Sequence, residues 1–435
     1  MLSLTSKKTL NNFLSFQRMK FKRVVVTGIG AFTPIGNNLD EIFENLKNGV
    51  SGCGPITYFD TENFKTKFAC EVKNFDLNKY IDRKEARKMD PYTHLAMAAA
   101  EECMQDSTIN LESVDLDRFG VIWGSGIGGL TTYQQEIINF AQGNGVPRFN
   151  PFFIPKMISN IAAGYISIKY GLRGASYTTA SACASSTHAM IDAFNAIQLG
   201  KCDIIMTGGS EATINESGIG GFNAMRAISE NNDEMTTASR PFDSTRDGFV
   251  MGEGGVALMF EELEHAKARG AKIYAEIVGG GMSSDAYHLT APHAEGTGAI
   301  NSMKYAIESA GISVNDIDYI NVHGTSTPLG DIAELTAIVK LFKEHAYKLN
   351  ISSTKSMTGH LLGATGAMEI VACIFAILTS TIPPTINHTH IDTNIDEKLN
   401  LTLNKAQKRE VTYALSNTFG FGGHNGSMVV KKYQA

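Results

Sequence analysis

Four polar residues stand where they could share one reaction. Cys183 lies among small residues in TTASACASSTHAMIDA (178–193), where a strand-like run gives way to a helical one. His323 ends an apolar strand in VHGTSTPLGD (322–331), inside a glycine-rich turn. Lys355 and His360 sit in STKSMTGHLLGATG (353–366), a loop that enters a long apolar helix. A cysteine can fill space, bind a metal or act as a nucleophile. Met190, Ala193, Phe194 and Ile197 follow at helical spacing, which predicts a helix starting near Cys183. A thiol at a helix N-terminus feels about half a positive charge, which favours thiolate over a reference pKa of about 8.5. One histidine alone is more often structural than catalytic. Two in matched glycine loops, opposite such a cysteine, point to nucleophilic chemistry. NTFGFGGHN (417–425) adds a turn with Phe419 and Phe421 that can present backbone N–H groups to a developing oxyanion.

The elements that must position these residues alternate. KRVVVTGIG (22–30) and FGVIWGSGIGG (119–129) each read as a buried strand closed by glycines, and TTYQQEIINFAQ as a helix after the second. ASYTTA, the helix from Cys183 and CDIIMTGGSEA give strand, helix, strand. Beyond residue 270 the order recurs, through KIYAEIVGGGMSSD, IDYINVHGTSTP, NISSTKSMTGHLLGATGAMEIVACIFAI and VTYALSNTFGFGGHN. Strands alternating with helices predict an α/β fold with largely parallel sheets. The segment around Cys183 occupies in the first half the place of the 351–377 segment in the second, so the chain reads as an internal repeat forming one compact, pseudo-twofold unit.

Composition bounds the rest. The 435 residues are 43% hydrophobic and 19% charged, with a net charge of −6, which argues against a general nucleic-acid binder. The six cysteines include no CxxC pair, so reduced thiols in a cytoplasm-like compartment are expected. The apolar run at 364–378 is too short to span a bilayer and contains Glu369, so it reads as a buried helix and no membrane partner is expected. Residues 1–18 hold no acid, carry Lys7, Lys8 and Arg18, and precede Met19; they fit an organelle transit peptide or a start assigned too far upstream.

Two other site chemistries are compatible with single motifs. GSGIGG (124–129) satisfies GxGxxG after a strand, but the acid expected some 20 residues on is missing from GNGVPRFNPFF. Cys183, His323 and His360 could ligate zinc, yet no short-range ligand pair anchors them and Lys355 would repel a cation. A non-catalytic partner subunit is a third possibility, against which the joint presence of the cysteine, both histidines and the lysine argues. The remaining histidines read as structural: His188 as packing, with His288 approaching the site entrance.

Taken together, these stretches resemble the elongating β-ketoacyl-acyl-carrier-protein synthases, closest to the synthase II group. DRKEARKMD (82–90), SRPFDSTRDGFVMGEGG (239–255) and SSDAYHLTAPH (283–293) also fit, and the match runs from about Met19 to the C-terminus. The resemblance implies a thiolase-like fold: two pseudo-symmetric βαβαβαββ halves in a layered α-β-α-β-α sandwich, residues 19–270 carrying the nucleophile and 271–435 the His/Lys residues. It implies a decarboxylating Claisen condensation without a cofactor or metal. Cys183 would accept the acyl chain, while His323 and His360, as neutral imidazoles, would hold the malonyl thioester oxygen. Backbone N–H groups of Cys183 and Phe421 would form the oxyanion hole. Lys355 would act electrostatically, and Glu369 would brace the second-half loop beside the substrate. Thr325 and Thr327 match positions that touch the pantetheine arm, Phe421 the gatekeeper ring, and Ile127 the pocket lining. A thiolase would need a second cysteine after Cys373, and initiating synthases carry Asn where TGH here supplies His360. His424 and SACASSTHA depart from the common pattern without touching the triad.

The resemblance also implies a homodimer and an acidic carrier-protein partner, loaded with acyl or malonyl groups. Lys84, Arg87 and Lys88 recur at i, i+3 and i+4, which predicts one basic helix face for docking. Arg148 and Arg226 are its expected neighbours.

Overall fold

The computed structural model describes residues 21–434; the leader reading of residues 1–18 lies outside them. Ten strands form one hydrogen-bonded sheet in two five-strand halves. The first half contains β1 (Val24–Phe32), β2 (Phe119–Gly124), β3 (Ser176–Thr179), β4 (Ile204–Glu211) and β5 (Gly254–Glu262). The second contains β6 (Ala275–Ser284), β7 (Tyr319–Asn321), β8 (Asn350–Ser352), β9 (Tyr413–Gly420) and β10 (His424–Lys431). The spatial order is β8-β7-β9-β10-β6-β1-β5-β4-β2-β3, so both halves run third, second, fourth, fifth, first. β2 is parallel to β3 and β4, and β7 to β8 and β9. The fifth strand of each half inserts antiparallel between the fourth and the first. The halves meet where Val24–Val26 pair antiparallel with Ala275–Ile277.

The repeat extends to how helices approach the sheet. α1 (Pro91–Ser107) covers β1, and α4 (Thr297–Ala310) covers β6. A Cβ on Gly30 would stand 2.1 Å from Ala99 O, and one on Gly281 2.2 Å from Ser302 O. Only glycine lets either helix lie this close to its strand.

Between the two halves lie α3 (Ser185–Gln198) and α6 (Thr365–Thr379), the layer that carries the chemistry. Met190, Ala193, Phe194 and Ile197 are all buried, as their spacing predicts. α6 buries thirteen of its fifteen residues, which explains why its sequence lacks a polar face. The stretch Leu362–Thr379 is long and apolar enough to cross a membrane, but 89% of it is buried inside the protein, against the sheet and α3. The helices touch where a Cβ on Gly366 would fall 2.0 Å from Thr187 Oγ1, and Ser186 Oγ accepts from Ala367 N–H at 3.1 Å. Thus the two helix N-termini, and the turns before them, are locked side by side.

Candidate active site

Each of these helices is entered through the same turn. Ala182–Ala184 and Leu362–Ala364 are single 3₁₀ turns immediately before α3 and α6. Ala182 and Leu362 hold φ of 50° and 48°, a left-handed conformation costly for a residue with a Cβ. Cys183 is the middle residue of the first turn, and Gly363 of the second. The helix expected to start near Cys183 begins at Ser185, and the strained turn before it aims the sulfur at the second half.

There it meets the histidines. His360 Nε2 lies 3.0 Å from Cys183 Sγ, and the ligand atoms of Cys183, His323 and His360 all fall within 4.8 Å of one another. The two imidazole rings are 5.3 Å apart and nearly perpendicular. Thr365 Oγ1 is 2.9 Å from His360 Nδ1; with the hydroxyl donating, Nε2 keeps its hydrogen and faces the reaction space. Glu334 fixes the His323 turn, accepting from His323 N–H at 2.9 Å, Gly324 N–H at 2.8 Å and Asn417 Nδ2 at 3.1 Å. Phe249 and Phe419 wall the two rings.

Burial governs the protonation states. It pushes the Cys183 thiol up to about 11, against the pull of the Lys355 ammonium and the backbone N–H groups of Phe421 and Cys183. The sequence expectation of a thiolate favoured by a helix N-terminus is thus reversed: a fully buried sulfur loses more by desolvation than the turn returns. Both histidines are held well below the ordinary imidazole range, first by desolvation and then by Lys355. They are neutral at physiological pH, as the donating role requires. Three such ligand atoms could geometrically clasp a divalent cation, but the Lys355 field that lowers both imidazoles opposes one.

Lys355 is buried and paired with Glu369. Neither lines the cavity above Cys183. Glu369, expected at the substrate, instead lies beneath the site, where burial raises its pKa against the pull of Lys355. The cavity has a volume of about 540 Å³ and reaches from Cys183 and both histidines to the surface. Ile127, Thr325, Thr327, Phe419 and Phe421 line it, and Thr325 Oγ1 is 3.1 Å from Thr327 Oγ1. His288 lines its mouth, together with His293, one of the histidines expected to be structural. His188, read as packing, also bonds Ser181 Oγ at 2.8 Å and so steadies the approach to the cysteine turn.

Three functional positions were not legible beforehand. Glu334 lies on a helix with no motif of its own, Thr365 at the start of an apolar run, and Phe249 inside SRPFDSTRDGFVMGEGG, a stretch that carries the resemblance without marking any one of its residues. Only spacing from His323 could have flagged Glu334, eleven residues on. The basic cluster needs a correction too. Its helix runs only Arg83–Ala86, with Arg87 as its cap, so there is no three-residue face. Lys84 and Arg87 are exposed, whereas Lys88 is half-buried, 2.6 Å from Glu85 and over the Phe152 ring. Arg148 is exposed, and Arg226 lies at the cavity mouth. The GSGIGG loop cannot cradle a phosphate, because the N–H groups of Gly126, Ile127 and Gly128 already bond Glu211.

Comparison with known proteins gives a consistent picture. Residues 21–266 match the β-ketoacyl synthase N-terminal domain, and residues 274–389 the C-terminal domain. The chain is 47% identical over 417 residues to 3-oxoacyl-[acyl-carrier-protein] synthase 2 of Staphylococcus aureus (strain COL), covering 95% of this chain and 99% of that one. The enzyme of the same name from Synechocystis sp. is 46% identical over 415 residues, with the same shares covered. Among solved structures, a β-ketoacyl synthase from Burkholderia phymatum superposes with a TM-score of 0.87 at 35% identity, over 95% of this chain and all of that one. A type II polyketide acyl-carrier protein in complex with its ketosynthase, bound to the hexaketide, gives 0.87 at 32% identity over the same shares.

Proposed function

The chain belongs to the β-ketoacyl synthase family, and we propose that Cys183 is its acyl acceptor, with His323 and His360 its decarboxylation pair. The enzyme is an acyltransferase of the synthase II kind. It condenses an acyl thioester with malonyl-acyl carrier protein, giving 3-oxoacyl-acyl carrier protein, CO2 and free carrier protein, in fatty acid elongation.

In the first half-reaction Cys183 Sγ attacks the acyl thioester carbonyl. The backbone N–H groups of Cys183 and Phe421 receive the oxyanion, the carbon–sulfur bond to the carrier breaks, and the cysteine proton ends on the departing carrier thiol. The raised thiol pKa suits this order, because ionisation is coupled to substrate arrival rather than standing in the empty site. In the second, the neutral imidazoles donate to the malonyl thioester oxygen while the carbon–carboxylate bond breaks. CO2 leaves, and the electron pair held as an enolate attacks the acyl-cysteine carbonyl. Collapse of that adduct expels Cys183 as thiolate, which takes up the one proton that the overall condensation consumes from solvent. A dry, cation-supported pocket stabilises both anions more than water would.

The observation that carries this assignment is the 3.0 Å contact of Cys183 Sγ with His360 Nε2 at the foot of the cavity. Intact mass after mixing the protein with a fatty acyl carrier protein tests it, beside a Cys183→Ala control. An acyl adduct on the wild type alone is expected; no adduct on the wild type overturns the assignment.

Residues 19–270 then form the half that bears the nucleophile, and 271–435 the half that bears the histidines and Lys355. We infer docking of the acidic carrier protein at the exposed Lys84, Arg87 and Arg148, together with Arg226 at the cavity mouth. A homodimer is supported by the sheet edge: β3 ends the order with Ser176 and Tyr177 exposed, beside Ile168 at 78% exposure. Six cysteines, all unpaired and buried, support a reducing, cytoplasmic setting.

A further inference from the structure

At the end of β4 stands a carboxylate that the condensation does not use. Glu211 is fully buried, and five donors converge on it. Oε2 accepts from the backbone N–H of Gly126 at 2.7 Å and of Gly363 at 3.1 Å. Oε1 accepts from Gly128 N–H at 3.0 Å and the Ser125 hydroxyl at 3.3 Å, and Ile127 N–H lies 3.2 and 3.3 Å from the two oxygens. None of these donors is a cation. A carboxylate removed from water must be compensated, and here four loop amides and one hydroxyl do it.

Those amides belong to two segments that both reach the cysteine. Gly126 and Ile127 line the cavity, and a Cβ on Gly126 would stand 3.0 Å from Ala182 O, just before Cys183. Gly363 lies between His360 and its partner Thr365. Within the repeat it takes the place of Cys183, so its N–H is the counterpart of the amide assigned to the oxyanion hole. In the second half that amide is turned onto Glu211. A Cβ at position 363 would come 2.4 Å from Gly126 N and 2.6 Å from Glu211 Oε2; the missing side chain is what allows the junction to close.

We propose that Glu211 is a positioning residue that ties the pocket wall at Ile127 to the turn following His360, and so sets which acyl chain lengths Cys183 accepts. This rests on the acylation of Cys183 proposed above. The three consecutive N–H groups of 126–128 bond to Glu211, so that carboxylate sets how far Ile127 reaches into the cavity between two flanking anchors, Ser125 N–H on Thr179 O at 3.2 Å and Gly129 N–H on Met157 O at 3.0 Å. His360 has other anchors: its N–H donates to Val250 O at 2.7 Å and its carbonyl accepts from Gly252 N–H at 2.9 Å. Glu211→Gln turns a donor toward one set of loop amides and orphans it. The wall then relaxes, while the histidine pair stays in place.

The test uses the full-length enzyme, with hexanoyl, decanoyl and tetradecanoyl carrier protein as acyl donors and malonyl carrier protein decarboxylation as the second readout. Glu211→Gln is expected to change the ratio of kcat/KM between the longest and shortest chains by roughly tenfold, mainly through KM. Decarboxylation should stay within about twofold of wild type. An unchanged ratio, or an equal loss at every length, overturns the proposal. Ser125→Ala removes one donor without touching the cavity lining and should move the same ratio in the same direction. If Glu211→Gln does not fold, an unmoved ratio in Ser125→Ala overturns it instead. Wild-type enzyme that forms no acyl adduct at all refutes the Cys183 assignment, and the control shows this before any variant is assayed.

Discussion

His360 Nε2 rests 3.0 Å from Cys183 Sγ across 177 residues of sequence. That contact joins the two halves of the repeat, and it is made by a neutral ring and a protonated sulfur. The free enzyme therefore holds its nucleophile in reserve.

With the thiol pushed up to about 11, the thiolate fraction at neutrality is on the order of one in ten thousand. Alkylation of Cys183 by iodoacetamide should climb about tenfold per pH unit between about pH 7 and pH 9, with no plateau. Peptide mass mapping of the modified cysteine follows the rate. Levelling off below about pH 9 would mean the sulfur is already ionised and desolvation is not the dominant influence.

His323 and His360 are separable by half-reaction. His323→Ala removes one donor to the malonyl oxygen and should slow decarboxylation by roughly 10²–10³. Acylation of Cys183, whose nearest imidazole is His360, should stay within about tenfold. Radiometric CO2 release and acyl-adduct mass measure the two steps, and equal loss of both would remove the division of labour.

Glu253 gives a pH signature in stability. Burial, reinforced by Glu71, lifts its carboxyl from 4.5 to about 7, while Tyr58 and the Val72 N–H oppose the shift. The folded state binds this proton more tightly than the unfolded chain, so the stabilisation is present below the unfolded value and is lost as pH rises through about 7. Up to about 3 kcal/mol is at stake. Denaturant unfolding at about pH 5 and pH 8 should show a smaller difference in Glu253→Gln, whose carbonyl can keep both hydrogen bonds. An identical difference in the two proteins would refute the role.

Docking should depend on exposed charge alone. Lys84→Glu with Arg87→Glu is expected to lower kcat/KM for carrier-bound substrates roughly tenfold at low salt, and less at high salt. Small thioesters should acylate as before. Lys88→Glu should do less, since Glu85 already holds that ammonium. Equal loss with both substrate classes would rule out a docking role.

The edge of the sheet carries the last expectation. Sedimentation should give a dimer for the wild type and a shift toward monomer for Ile168→Glu, which puts a charge on a 78% exposed isoleucine beside β3. A monomeric wild type would dispose of the homodimer.

What the sequence determined by itself was the repeat and its chemistry-bearing loops. Glycine-closed strands, the helical spacing after Cys183 and the apolar run behind His360 are local patterns, and local sterics and burial make them readable one segment at a time. The tertiary structure decided everything that depends on which surfaces meet. Desolvation by the opposite half reverses the expected ionisation of Cys183. Glu369 lies under Lys355 rather than at the substrate because α6 is packed on nearly every side. The basic helix face shrinks to one turn once a cap ends it at Arg87. Glu211 closes a junction between two loops 235 residues apart at their ends (Gly128 to Gly363), and no motif marks it. Spacing along a chain encodes periodicity; proximity between its halves, and the dielectric that proximity creates, exist only after folding.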